Sequence, residues 1–200
     1  MLRNSNNNQL FRMNLSPPSN SNSSNSMLIP ESRTIPEPNR LSMTNLEAPK
    51  KEMKWAGPTW LILHTLAEKI DESNFNNIRV ELLNTVYTIC TILPCPLCAA
   101  HAKKYLDGVN FDTIKNKENL KYLLFEFHNS VSKEKNLPLY DYAKMDVYKT
   151  ANTIVVIQNF MFHFSKKSGS IRLISDDLHR ARTIIILKTW FNDNIKYFSK

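Results

Sequence analysis

Glycine is nearly missing from this sequence of 200 residues: only Gly57, Gly108 and Gly169 occur. A glycine-rich phosphate loop of the dinucleotide or P-loop kind is therefore excluded. The cysteines number three, too few for a disulfide-dense secreted scaffold. Long hydrophobic runs are absent as well. The nearest, Ile154–Phe164, is broken by Gln158, Asn159 and His163, well short of the roughly 18 apolar residues of a membrane span. Short alternating strand patterns with turn glycines are missing too, which argues against a parallel sheet. What remains is a chain whose cysteines, if they matter, matter chemically.

The +8 net charge is unevenly spread, with the middle nearly neutral and the excess in residues 151–200. A basic tail suits nucleic acid, an anionic membrane or an acidic protein, but its plainest reading is a solvated face. Residues 1–50 read as a disordered arm. Asn and Ser dominate as far as Ser26, and Pro17, Pro18, Pro30, Pro36 and Pro38 punctuate the rest. Such a stretch buries too little apolar surface to offset its ordering entropy. It lacks the apolar core of a secretory signal, and its Asn run and paired prolines do not suit a mitochondrial transit helix.

Helical spacing begins at Trp55. Pro58 suits a first helical position, with Trp60, Leu63, His64 and Ala67 following. A second helix is expected over 78–93, with Val80, Leu83, Val86, Tyr87 and Cys90 on one face and Pro94 ending it. A third starts near Cys95 and stops at Asp107-Gly108. A fourth runs over about 119–133, with Leu120, Leu123, Leu124, Phe127, His128 and Val131 as its stripe. Two more are expected over 144–165 and 176–198, the latter too apolar for free solution and so packed on the bundle or at a dimer seam. The fold class is all-α, a helical bundle.

Cys95-Pro96-Leu97-Cys98 is the sharpest local feature. Two cysteines three apart at a helix start can close a small disulfide ring, and the helix N-terminus favours a thiolate there. Three readings compete: half a zinc site, a thioredoxin-type pair, and a redox pair with another electron acceptor. Zinc needs four ligands, and Cys95, Cys98 and His101 offer three with no second pair at finger spacing. In that alternative the chain is a non-enzymatic zinc-binding adaptor whose basic tail holds nucleic acid. Thioredoxin chemistry wants a βαβ setting, and these flanks are helical.

The neighbouring residues carry a resemblance. The stretch Trp55-Ala56-Gly57-Pro58-Thr59-Trp60-Leu61-Ile62-Leu63-His64 resembles the first helix of the Erv/ALR sulfhydryl oxidases, and Leu93-Pro94-Cys95-Pro96-Leu97-Cys98 resembles their redox motif. Cys98-Ala99-Ala100-His101-Ala102 is most similar to members encoded by large DNA viruses, and His128-Asn129-Ser130-Val131 resembles the family's flavin-binding motif, which Pro138 with Tyr140-Asp141 continues. The resemblance covers roughly residues 52–150.

It implies a four-helix bundle with a short fifth helix over 51–150; residues 151–200, which have no counterpart in the resemblance, read from their own charge and pattern as a basic helical extension. It implies non-covalent FAD, a homodimer, and no bound metal. Gly57, Thr59, Trp60, His64, His128, Asn129, Val131, Ser132, Tyr140 and Tyr148 are the implied cofactor contacts, Ser132 standing where many members have asparagine and Tyr148 fitting only after a small slip in register. Cys95 then faces the substrate and Cys98 the flavin. Donor thiols reduce the pair by disulfide exchange, Cys98 passes two electrons to the flavin, and oxygen takes them to give hydrogen peroxide. Many members carry a second cysteine pair that relays electrons, and this sequence has none, so a thiol-bearing substrate protein or a relay protein meets Cys95 directly. Cys90 reads as a small buried hydrophobe. The implied location is the host cytoplasm or the virion, with nucleic acid not an expected partner.

Overall fold

The computed structural model describes residues 53–167 and 169–199, so the expectation of a disordered arm lies outside the described residues. Six α-helices occur among them: α1 (Ala56–Lys69), α2 (Glu72–Thr91), α3 (Pro96–Asp107), α4 (Lys117–Glu134), α5 (Thr153–Phe164) and α6 (Ile174–Asn194). Short 3-10 turns, the longest at Tyr142–Thr150, connect or follow them. The all-α expectation is met.

Helix α1 is the axis. Ile62 through Lys69 form an unbroken buried run, so no side of this stretch faces water. A helix buried all round belongs inside a bundle, and α4, α5 and the 142–150 turn surround it. It begins at Ala56, two residues ahead of the expected start, because a proline is tolerated anywhere among the first orphan amides. The Thr59 hydroxyl donates to the Trp55 carbonyl at 2.8 Å and steadies that first turn.

Three further expectations need correction. Helix α2 starts at Glu72, earlier than expected, since Phe75 and Ile78 extend the buried stripe of Leu82, Val86 and Ile89. Val80, expected on that stripe, is 64% exposed. The single helix expected over 144–165 is split: Ala151 is extended, and the Asn152 side chain accepts from the Val155 amide at 3.0 Å, an N-cap that starts α5 afresh.

The boundary at residue 150 is not a boundary in packing. Val156, Phe160 and Phe164 of α5, and Ile184, Leu187 and Phe191 of α6, join the same core as Ile62 and Leu66. Beyond α6 the chain returns to the end of α1: Asp71 donates its amide to the Tyr197 carbonyl at 3.0 Å and Ser199 donates to the Lys69 carbonyl at 2.8 Å. The Thr153 hydroxyl also donates to the Ser199 carbonyl at 2.7 Å. The helix expected on the bundle or at a dimer seam packs on the bundle, and one of its basic side chains departs from the solvated face expected of the basic tail. Arg180 is buried, paired with Asp177 and donating to the Lys166 carbonyl at 3.3 Å.

If α6 is integral to the core, Phe191→Ala should cost about 3–5 kcal/mol, read as a lower denaturant midpoint. An appended helix would give a loss of only a few tenths.

Candidate redox site

Pro94 ends the chain segment that follows α2, and Cys95 becomes the N-cap of α3. Its sulfur accepts from the Cys98 amide at 3.2 Å. The two cysteines form a disulfide across a Cα separation of 5.2 Å. The helix N-terminus thus directs an amide at Cys95, whereas Cys98 is the third residue of α3, within its first turn.

Beside this disulfide is an open cavity of about 330 Å³, within the size range of sites for small organic ligands. Its wall is mostly apolar. Trp60, Leu63, Cys90, Leu93, Phe127 and Val131 line it together with Cys95 and Cys98. Helix α1 supplies Thr59, Trp60 and Leu63, and α4 supplies Phe127 and Val131, so these two helices position a large part of the wall.

Trp60 joins the cavity to a stack of rings. Its indole lies 4.0 Å from the His128 ring at an interplanar angle of 6°. His128 continues to Tyr140 at 4.8 Å and 16°, and His64 lies 5.0 Å from Tyr148. His64 Nε2 and His128 Nδ1 are 3.1 Å apart, one ring donating to the other. Asn129 organises this group through the backbone: its amide donates to the Tyr140 carbonyl at 3.2 Å and its oxygen accepts from the Tyr140 amide at 2.7 Å. The chain reaches Tyr140 through a tight helix stop, where Leu137 donates to the Ser132 carbonyl at 2.8 Å and Asn136 to the Lys133 carbonyl at 3.1 Å. Asn136 takes a φ of 53°, the left-handed conformation that this stop requires.

The structure therefore sorts the expected site residues. Cys95, Cys98, Thr59, Trp60 and Val131 line the cavity, while His64, His128, Tyr140 and Tyr148 form the adjoining stack. Asn129 and Ser132 are buried and act through backbone bonds. Gly57 stands at the start of α1 with no atom within 4 Å of where a Cβ would lie, so the protein itself places no steric demand there. Sequence reasoning missed Glu134 and Lys135, which also line the cavity. The zinc alternative is not assembled: the two sulfurs are bonded to each other, His101 Nδ1 is paired with Glu134, and no cluster of three candidate ligands occurs among the described residues.

Burial sets the protonation of this region. It pushes the His64 ring down to about 3, His128 adding to the effect, and His128 itself down to about 4. Both rings are neutral at neutral pH. Burial pushes the Cys90 thiol up to about 12, so it stays protonated and unreactive. Tyr148 is raised by burial and then by its Tyr140 neighbour, whose hydroxyl is 3.2 Å away. One buried atom stands out. His64 is 0% exposed, yet its Nδ1 has no hydrogen-bond partner. Of the stacked rings, Trp60 is the one that faces the cavity, with His128 stacked behind it, and a flat aromatic surface in an apolar wall fits a flat heteroaromatic ligand.

A helical bundle with a disulfide in the wall of an aromatic-flanked cavity defines a thiol–disulfide redox protein. The comparisons agree. Residues 58–150 match the model of the Erv1/Alr family. A protein named FAD-linked sulfhydryl oxidase in one African swine fever virus isolate is 29% identical over 105 residues, 51% of this chain and 87% of that one. Its counterpart in a second isolate is 31% identical over 84 residues, 42% of this chain and 70% of that one. A protein of Invertebrate iridescent virus 3 is 28% identical over 85 residues, 42% of this chain and 57% of that one. The chain belongs to the Erv1/Alr family. No solved structure matches.

The paired histidines make stability pH-dependent with a definite sign. Their folded-state values lie below the ordinary 6.5, so the unfolded chain binds more protons as pH falls. The stability they contribute is full above about pH 6.5 and is lost progressively toward about pH 4 and below. The urea midpoint should fall between pH 6.5 and 5, and His64→Gln should flatten that decline. Equal slopes would show that the pair does not titrate as placed.

Proposed function

We propose that this chain is an FAD-linked thiol oxidase that makes disulfide bonds in other proteins. The observation that carries the reading is the Cys95–Cys98 disulfide in the wall of the apolar cavity, contiguous through Trp60 with the histidine–tyrosine stack. Trp60, His64, His128 and Tyr140 are the residues that would hold FAD, with Tyr148 completing the stack. When bound, FAD supplies a two-electron acceptor that hands electrons to oxygen and yields hydrogen peroxide.

The chain's own residues account for the thiol half of the reaction. A substrate thiolate bonds to Cys95 Sγ, the Cys95–Cys98 bond breaks, and its electron pair leaves on Cys98 Sγ. A second substrate thiolate attacks the substrate sulfur, which releases the product disulfide and a Cys95 thiolate. The Cys98 amide, already directed at Cys95 Sγ, stabilises that leaving thiolate. The apolar wall keeps water from the cavity side of Cys98. Leu97, between the cysteines and 84% exposed, gives an incoming chain an apolar foothold beside Cys95.

The sequence holds no second cysteine pair, and Cys90 is buried, so the electrons come from a substrate or relay protein rather than from an internal shuttle. The same reading extends to a homodimer working in the host cytoplasm or the virion.

Purified protein should be yellow and release FAD on denaturation. The two motif cysteines should be unequal. Cys95→Ser leaves the Cys98 thiolate beside oxidised flavin and should add a long-wavelength absorption shoulder that fades on acidification. Cys98→Ser should add none. Both variants should keep FAD and lose turnover with protein thiols. Identical spectra would reverse the assignment of Cys98 as the flavin-side sulfur, and colourless protein would remove the flavin.

A further inference from the structure

Cys98 needs a partner for its charge that Cys95 already has. The first-turn amide of α3 goes to Cys95 because that residue is the N-cap. Cys98 is the third residue of the helix, and one turn further along the same face stands His101. The His101 Nδ1 is joined to the carboxylate of Glu134, the last residue of α4. Its Nε2 is buried and has no hydrogen-bond partner. Both side chains line the cavity that contains the two sulfurs. A sulfur nucleophile, a nitrogen base and a carboxylate that orients the base are the parts that activate a thiol; here the sulfur and the ring share the cavity wall with no hydrogen bond between them while the disulfide is closed.

A cross-helix tether is the plainer reading of such a pair. The side chains are 24% and 55% exposed, and an exposed ion pair contributes little to stability. A tether has no use for the second ring nitrogen, however, and leaving it buried and unpaired is costly. The location in the redox cavity gives that nitrogen a use.

We propose that His101, oriented by Glu134, accepts the proton that would otherwise settle on Cys98 Sγ, and so keeps Cys98 a thiolate once the disulfide opens. The inference rests on the thiol-oxidase reading. Substrate attack on Cys95 leaves the electron pair of the broken S–S bond on Cys98. The substrate thiols release their protons as they become thiolates, and one of these is taken by Nε2 and balanced by the Glu134 carboxylate. When the electron pair leaves Cys98, the imidazolium gives up that proton. Glu134 thus acts as a positioning residue, through the ring. The other titratable groups in this wall are Cys90 from α2, which burial keeps protonated, Cys95 at the start of α3, and Lys135 from the end of α4. Lys135 also favours a thiolate and is left unchanged in the test.

The test uses the full chain with its bound cofactor in a Cys95→Ser background, where serine preserves the N-cap and Cys98 is the accessible thiol. Iodoacetamide alkylation of Cys98 is followed against pH, alone and with His101→Asn or Glu134→Gln added. The expected result is a thiolate midpoint raised by about one pH unit and alkylation at neutral pH slowed about tenfold for His101→Asn. A smaller shift in the same direction is expected for Glu134→Gln, with thermal midpoints close to the parent. Unchanged alkylation profiles in both, or slowing explained by lowered thermal midpoints, would reduce the pair to a tether. If His101→Asn fails to fold, Glu134→Gln decides alone by the same readout. Absent turnover in the parent protein would sink the oxidase reading, whereas the alkylation profile is measured without substrate and reports only on the thiol.

Discussion

Burial of α1 around its whole circumference is the constraint on which the rest of the structure depends. Ile62, Leu63 and Leu66 are at most 1% exposed, and each contributes about 1.5–3 kcal/mol when fully buried. The same helix must carry polar groups into that interior. Glu68 is matched by Lys121 at 2.8 Å, Lys69 by the Lys149 carbonyl at 2.7 Å, and His64 by His128 at 3.1 Å. Two of these partners lie on α4 and one in the 142–150 turn, so closing α1 also fixes both. The C-terminal segment seals the last turn through Ser199 and Tyr197. A site built on α1 therefore inherits the rigidity of the core.

The two sulfurs occupy unlike surroundings. Cys95 caps a helix and has an amide directed at its sulfur. Cys98 is committed to the helix and to the cavity wall, one turn from a histidine–carboxylate pair. Around the disulfide, ring stacking rather than hydrogen bonding shapes the binding surface. Thr59 and Asn129 spend their polar groups on the backbone, and this gives Trp60 and Tyr140 their positions.

Much of this was legible from the sequence because it is local. The cysteine spacing, the proline before it and the Trp60–His64 turn are short-range patterns, and the stripe of α4 follows its period. What escaped was non-local. Nothing near Glu134 in the sequence announces His101, because the pair forms only when α3 packs beside α4. That the helices after residue 150 share the core of those before it was hidden for the same reason, since an apolar helix does not reveal which helix it covers, and α5 covers α1. Val80 was misplaced because a period read over one window fits two faces when Phe75 is left out.

Anaerobic titration of the purified protein with a dithiol, followed at the visible flavin band, tests the central claim most directly. A disulfide in electronic contact with a flavin should take up twice the reducing equivalents of flavin alone before full bleaching. Replacing both Cys95 and Cys98 with serine should halve that uptake and make bleaching far slower. Bleaching with unchanged rate and stoichiometry in the doubly substituted protein would contradict a thiol route through this cavity.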